Sequence, residues 1–356
     1  MLIALGVVTI AGLPALNADP GSTDAAESRW QKLKNRLPPP SARLDSPNPG
    51  GPKTPAERQQ KRGELIAHFR ALAADAGVFR DQNASHAKAP EAKALEAKSL
   101  LKAMLMGDKA SEAQAMELAA AVEKDRAVSS RERFEVASLA ELALVRTFQG
   151  SRQDRLAAQK LSAAYLVSEF PNEAGGHLSL LGAVELGGSR SDLKLVAREI
   201  IESEHAPFVA KARAQILLER YELVGKSLAD VANTALGRGN FFEQCRGRQV
   251  LLYTWAAWSR SSIQFAKEIV SAAPAGVLVI GFNLDRDLAA AREIAGKESL
   301  PGEQYYNEGG IGSWVALLLK LDSAPLVYLT DDNGVIRDVA GQRNDLAAGL
   351  AAARQR

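Results

Sequence analysis

The sequence predicts an α + α/β protein, an N-terminal array of helical hairpins followed by an α/β domain. From Ala56 to about Val224 the chain is rich in the strong helix formers Ala, Leu, Glu, Lys and Arg. After Gly225 the pattern changes to short apolar, β-rich runs alternating with helical stretches. Near the end, Asp332-Asn333-Gly334 stands between two such runs, and Asn-Gly is a strong signal for the turn of an antiparallel hairpin.

The chain has 356 residues, 46% hydrophobic and 24% charged, which is long enough for two domains with cores of their own. Its net charge of +2 implies no nucleic-acid-binding surface. The first element, Leu2 to Leu16, is apolar but interrupted by Gly6, Gly12 and Pro14. It is too short and broken for a stable membrane span and fits the h-region of a secretory signal over residues 1–18, with cleavage after Ala18. That expectation places the mature chain in the periplasm or otherwise outside the cytoplasm. Residues 19–55 read as a linker, because seven prolines fall in the eighteen residues from Pro38 to Pro55 and leave little to bury.

Residues 56–224 read as a helical domain, with helices expected over Glu57–Ala74, Ala92–Met106, Ser111–Lys124, Ser130–Thr147, Arg152–Phe170, Glu173–Leu186, Ser191–Ser203 and Pro207–Leu223. In the Arg152–Phe170 segment, Leu156, Gln159, Lys160, Ala163, Ala164 and Val167 follow three- and four-residue spacings, and Pro171 ends the run. Short turns such as Gly187-Gly188-Ser189 make antiparallel hairpins the natural outcome. Tyr165, Phe170 and Pro171 weakly resemble a tetratricopeptide unit, but no clean second copy follows.

Residues 225–356 read as the second domain. Val250–Thr254 and Val277–Phe282 are nearly continuous apolar runs, as expected of strands covered on both faces. Leu326–Thr330 and Val335–Val339 form the hairpin. Helices are expected over Ser261–Ala272, Leu284–Ala295, Gly312–Leu321 and Asp345–Ala353.

The segment after the first of these strands is Trp255-Ala256-Ala257-Trp258-Ser259-Arg260-Ser261-Ser262. Together with Gly247-Arg248 entering the strand, the insertion from Asn283 to Gly310, Pro325 opening the hairpin and Asp332-Asn333-Gly334 at its turn, it resembles the TlpA/ResA-like group of the thioredoxin superfamily. These are exported disulfide reductases related to the redoxin and alkyl-hydroperoxide-reductase branch. The resemblance covers about a third of the chain and implies a thioredoxin-like three-layer α/β/α domain. It also implies that Pro325 matches the family's cis-proline, whose neighbouring backbone pairs with an extended substrate.

The departure from the family decides the chemistry. Where the family has Cys-Gly-Pro-Cys, this chain has Ser259, Arg260, Ser261 and Ser262. Thiol-disulfide exchange proceeds through a mixed disulfide and needs sulfur. An alcohol titrates near water, at about 15.7, and even a shift of about 5 units leaves it protonated at neutral pH. Ser259 therefore reads as a helix N-cap. A serine hydrolase is disfavoured because His68, His86, His177 and His205 all lie in the helical region. No histidine pair has metal-ligand spacing, and Gly309-Gly310-Ile311-Gly312 completes no phosphate loop, so neither a metal nor a cofactor is expected.

Cys245 is the only cysteine, which excludes an intramolecular disulfide; it reads as a small buried hydrophobe before the core strand. The leading expectation is a redox-inactive member of the thiol-disulfide oxidoreductase family that binds a protein or extended peptide. Its binding residues would be Trp258, Ser259, Ser262, Ala324 and Pro325. Two alternatives are a thiol-dependent oxidoreductase or peroxidase using Cys245, and a scaffold acting through its helical array.

Overall fold

The computed structural model describes residues 23–36, 54–233, 240–271, 273 and 276–340. The chain divides into two units, 1–147 and 148–356. The expected signal over 1–18, the prolines from Pro38 to Pro52 and the expected helix Asp345–Ala353 lie outside the described residues.

The first unit is helical: α1 (Thr23–Lys34), α2 (Pro55–Gln82), α3 (Ala89–Leu105), α4 (Glu112–Lys124) and α5 (Ser130–Thr147). Here the linker expected over 19–55 needs correction, because α1 lies inside it. Its sequence supplies Ala, Glu, Gln, Lys and Leu without proline. Trp30 is buried against Phe79, with ring centroids 5.6 Å apart. The α2 helix starts at Pro55, where Thr54 forms a capping box with Glu57, and it continues past the expected end at Ala74. Gly77 does not stop it, because a Cβ there would stand 3.2 Å from the buried Glu96 carboxyl; the missing side chain allows close helix packing. An alanine-rich core joins α3, α4 and α5.

The second unit holds the remaining described helices and the sheet. The helices α6 (Arg152–Glu169), α7 (Ala174–Gly187), α8 (Arg190–Glu202) and α9 (Phe208–Tyr221) form two hairpins, α6 on α7 and α8 on α9. Ser151 with Asp154, and Ser189 with Asp192, cap α6 and α8 through reciprocal hydrogen bonds. After α10 (Leu228–Asn233) come β1 (Val250–Trp255), α11 (Arg260–Ser271), β2 (Leu278–Asn283), α12 (Leu288–Glu298), β3 (Glu303–Tyr305), α13 (Trp314–Leu318), β4 (Val327–Thr330) and β5 (Ile336–Ala340).

The strands make one mixed sheet in the order β3-β2-β1-β4-β5. Val250 to Trp255 pair in parallel with Leu278 to Asn283, while Leu251 to Tyr253 pair antiparallel with Leu329 to Val327. Alternate β1 side chains enter two cores. Leu251, Tyr253 and Trp255 pack with Phe265 and Ile269 of α11 and Ala291 of α12. Val250 and Leu252 pack with Phe242, Tyr328 and the α13 residues Val315 and Ala316. Both sides of β1 are therefore buried, which explains its nearly continuous apolar sequence. The short β3 was not legible because Glu303-Gln304-Tyr305 has no apolar run, and it joins the sheet edge beside β2.

The β4–β5 turn forms where Asn333-Gly334 places it. Asp331 Oδ1 accepts the Asn333 and Val335 amides, and Gly334 adopts φ +74°. A Cβ at Gly334 would lie 2.5 Å from the Cys245 carbonyl oxygen.

The outer side of β5 is occupied. Gly225 N–H donates to Ile336 O at 2.8 Å, Ile336 N–H to Lys226 O at 2.9 Å, and Leu228 N–H to Gly334 O at 2.9 Å. The segment just after the expected domain boundary, Gly225 to Leu228, thus pairs with the hairpin. Accordingly α6 to α9 fall in the same unit as the sheet, and the units part after Thr147.

Candidate functional site

The β1 strand ends at Trp255, the chain turns through Ala256, Ala257 and Trp258, and α11 begins at Arg260. Ser259 stands at the helix entry, 9% exposed. Its Oγ accepts the Ser262 amide at 3.4 Å, a capping bond, and donates to Ala324 O at 3.2 Å. The same Oγ lies 3.2 Å from Ser261 Oγ.

Ser262 turns away from solvent. It is fully buried, its Oγ donates to Ser259 O at 2.7 Å, and it accepts the Ala256 amide at 3.1 Å. Arg260 and Ser261 are exposed. The four motif positions therefore serve helix capping and turn closure. Ser259 meets Ala324 next to Pro325, whereas Ser262 bonds only within its own turn. The Ala324-Pro325 peptide is cis, as the resemblance implies. Trp258 is 61% exposed and Trp314 60% exposed, while Trp255 is wholly buried.

Three groups absent from the sequence reading shape this region. Thr254 Oγ1 donates to Ser323 O at 2.7 Å and accepts the Leu326 amide at 2.8 Å, clasping the chain on both sides of Ala324-Pro325. Asp285, just past β2, accepts the Ala257 amide at 2.7 Å and the Asn283 side-chain amide at 2.7 Å. Asp322 meets Arg213 and Arg220 of α9. Asn283-Leu284-Asp285 directly after an apolar run carried the available signal for Asp285. Nothing local marked Thr254 or Asp322.

Cys245 is fully buried. Burial pushes its thiol up from about 9 to about 12, with Arg248 opposing more weakly. At neutral pH it is a protonated core residue, unlike the exposed low-pKa thiolates of reactive cysteines. Among the described residues no group of three His, Cys, Asp or Glu side chains is placed to hold a metal ion. No described helix is long and apolar enough to cross a membrane.

No family model and no curated protein matches the chain. Among solved structures it is similar to a thioredoxin-like protein from Parabacteroides distasonis at 22% identity, over 32% of this chain and 88% of that one, with a TM-score of 0.27. It is also similar to a protein from Bacteroides vulgatus assigned as a thiol-disulfide oxidoreductase, at 18% identity over 31% of this chain and 73% of that one, with a TM-score of 0.25. Each likeness covers about a third of this chain.

Proposed function

We propose that the sheet-bearing unit is a thioredoxin-like binding module of the TlpA/ResA type, with a three-layer arrangement around β1, that holds an extended peptide or protein partner without thiol chemistry. The observation that carries this reading is the bonding of the motif serines. Ser259 and Ser262 are spent on the Ala324 carbonyl and on the turn, so neither hydroxyl has a base beside it, and the sole cysteine is a buried, protonated thiol. An extended partner would add main-chain hydrogen bonds along the Ala324-Pro325 segment, with the exposed Trp258 giving apolar contact. Placing this work outside the cytoplasm is supported by the apolar Leu2–Leu16 run.

Two assays test the reading. Purified full chain should reduce insulin or glutathione disulfide no faster than the uncatalysed control, and Cys245→Ala should change nothing. Turnover that disappears in Cys245→Ala would instead establish the one-cysteine enzyme. In equilibrium binding to permanently unfolded carboxymethylated α-lactalbumin, a Pro325→Ala variant shown to remain folded should bind about tenfold more weakly. Equal binding by both chains, or no binding by the wild type, would refute the peptide-binding role.

A further inference from the structure

Arg220 is fully buried on α9, and each arm of its guanidinium is used. Nε donates to Lys320 O at 3.2 Å, one terminal nitrogen to Glu185 of α7 at 3.1 Å, and the other to Asp322. Arg213, two turns earlier on the same face, reaches both Asp322 and Glu185. Glu219 adds a 2.5 Å ion pair to Lys320. Asp322 is thus held by two guanidinium groups from one helix, three residues before Pro325.

The other side of this short segment is held by the site. Thr254 bonds Ser323 O and the Leu326 amide, and Ser259 bonds Ala324 O. Lys320, at its start, has φ +54°, a conformation unfavourable for a residue with a Cβ and tolerated where surrounding contacts over-determine it. A buried arginine also carries a large desolvation cost unless its partners stay in place. Geometry, strain and charge therefore converge on residues 320–324.

We propose that α7 and α9 set the shape of the peptide-binding segment 320–325, with Arg220 as the positioning residue that fixes the approach to Pro325 through Asp322 and the Lys320 carbonyl. This rests on the binding reading above for its functional meaning, but its structural half stands by itself. The helical hairpins next to the sheet are then part of the binding apparatus, and a partner's grip on 323–325 is transmitted to α9.

Amide hydrogen exchange on the full-length chain tests this, with Asp322→Asn as the mild variant and Arg220→Met as the severe one. Arg190→Met is the control: it removes the 2.6 Å ion pair from α8 to Asp338 on β5 without touching the segment. Asp322→Asn should speed exchange across 321–326 by about tenfold while β1 and β2 keep their protection. Arg190→Met should leave 321–326 unchanged. An Asp322→Asn variant with wild-type exchange there, or with equal acceleration throughout the unit, would overturn the proposal, and this holds even if Arg220→Met fails to fold. Absence of α-lactalbumin binding by the wild type would count against the binding reading alone, since the exchange pattern decides the positioning claim separately.

Discussion

The two segments that meet at Ser259 and Ala324 are built from different bonding. On the α11 side, Ser259 and Ser262 close a turn with hydrogen bonds mostly inside the seven residues from Ala256 to Ser262. On the Pro325 side, Thr254, Ser259, Arg213 and Arg220 reach in from distant parts of the chain to fix residues 320–326. The helix entry is thus largely self-satisfied within its own turn, and the segment around Pro325 is held by long-range contacts. On the binding role proposed above, only the second kind of support is required, because backbone geometry does not depend on sulfur.

The sharpest contrast to probe is between two thiol environments in one chain. A Ser259→Cys variant places a thiol at the α11 N-terminus, where free backbone N–H groups favour the thiolate, at or below about 8.5. Cys245, pushed up to about 12 by burial, has a thiolate fraction on the order of one in ten thousand at pH 8. Iodoacetamide should therefore label position 259 about a thousandfold faster than position 245 in the folded protein. Comparable rates would show that the helix entry no longer offers an activating environment.

The next largest effect belongs to the Pro325 side. Thr254→Val keeps the shape of the side chain but strands the Leu326 amide and the Ser323 carbonyl, for a loss of about 2–3 kcal/mol in denaturant unfolding. Ser262→Ala leaves the Ala256 amide without its acceptor and should cost about 1–2 kcal/mol; Ser259→Ala removes a cap and should cost about 0.5–1 kcal/mol. A reversed order, with Ser259→Ala the most damaging, would break the distinction between the two sides.

A smaller effect appears in alkaline solution. The Cys245 thiol holds its proton more tightly in the folded chain than in the unfolded one, so its contribution is intact below about pH 9 and is lost as pH rises toward about 12. Tyr221 and Tyr253, both pushed up to about 12 by burial, add to the loss above pH 10. Melting temperature should fall from pH 9 upward, and Cys245→Ala should flatten the portion between pH 9 and 10 relative to the wild type. A profile unaltered by that substitution would mean that the thiol is solvated.

Legibility followed the range of the interactions. The strands β1, β2, β4 and β5 and the turn at Asn333-Gly334 were readable because apolar runs and turn chemistry are local. Ser259 as a cap was readable for the same reason. The Thr254 clasp, which joins residues 69 and 72 positions apart, has no local signature. Neither does the Arg220–Asp322 pair, at a separation of 102. The division after Thr147 was hidden because α5 and α6 have similar helix-forming sequences, while the pairing of Gly225 to Leu228 with the hairpin is a tertiary event. The α1 helix is set apart from its proline-rich neighbour by the burial of Ala26, Trp30 and Leu33, a tertiary feature.

The most direct test of the central claim is an exchange footprint of the full chain saturated with carboxymethylated α-lactalbumin, in buffer free of thiols. The expected result is protection gained at residues 256–263 and 320–327, the two segments that meet at Ser259 and Ala324, with the described surfaces of α2 to α6 unaffected. Protection confined to those helices would contradict the binding role of these segments and establish the helical array as the binding surface.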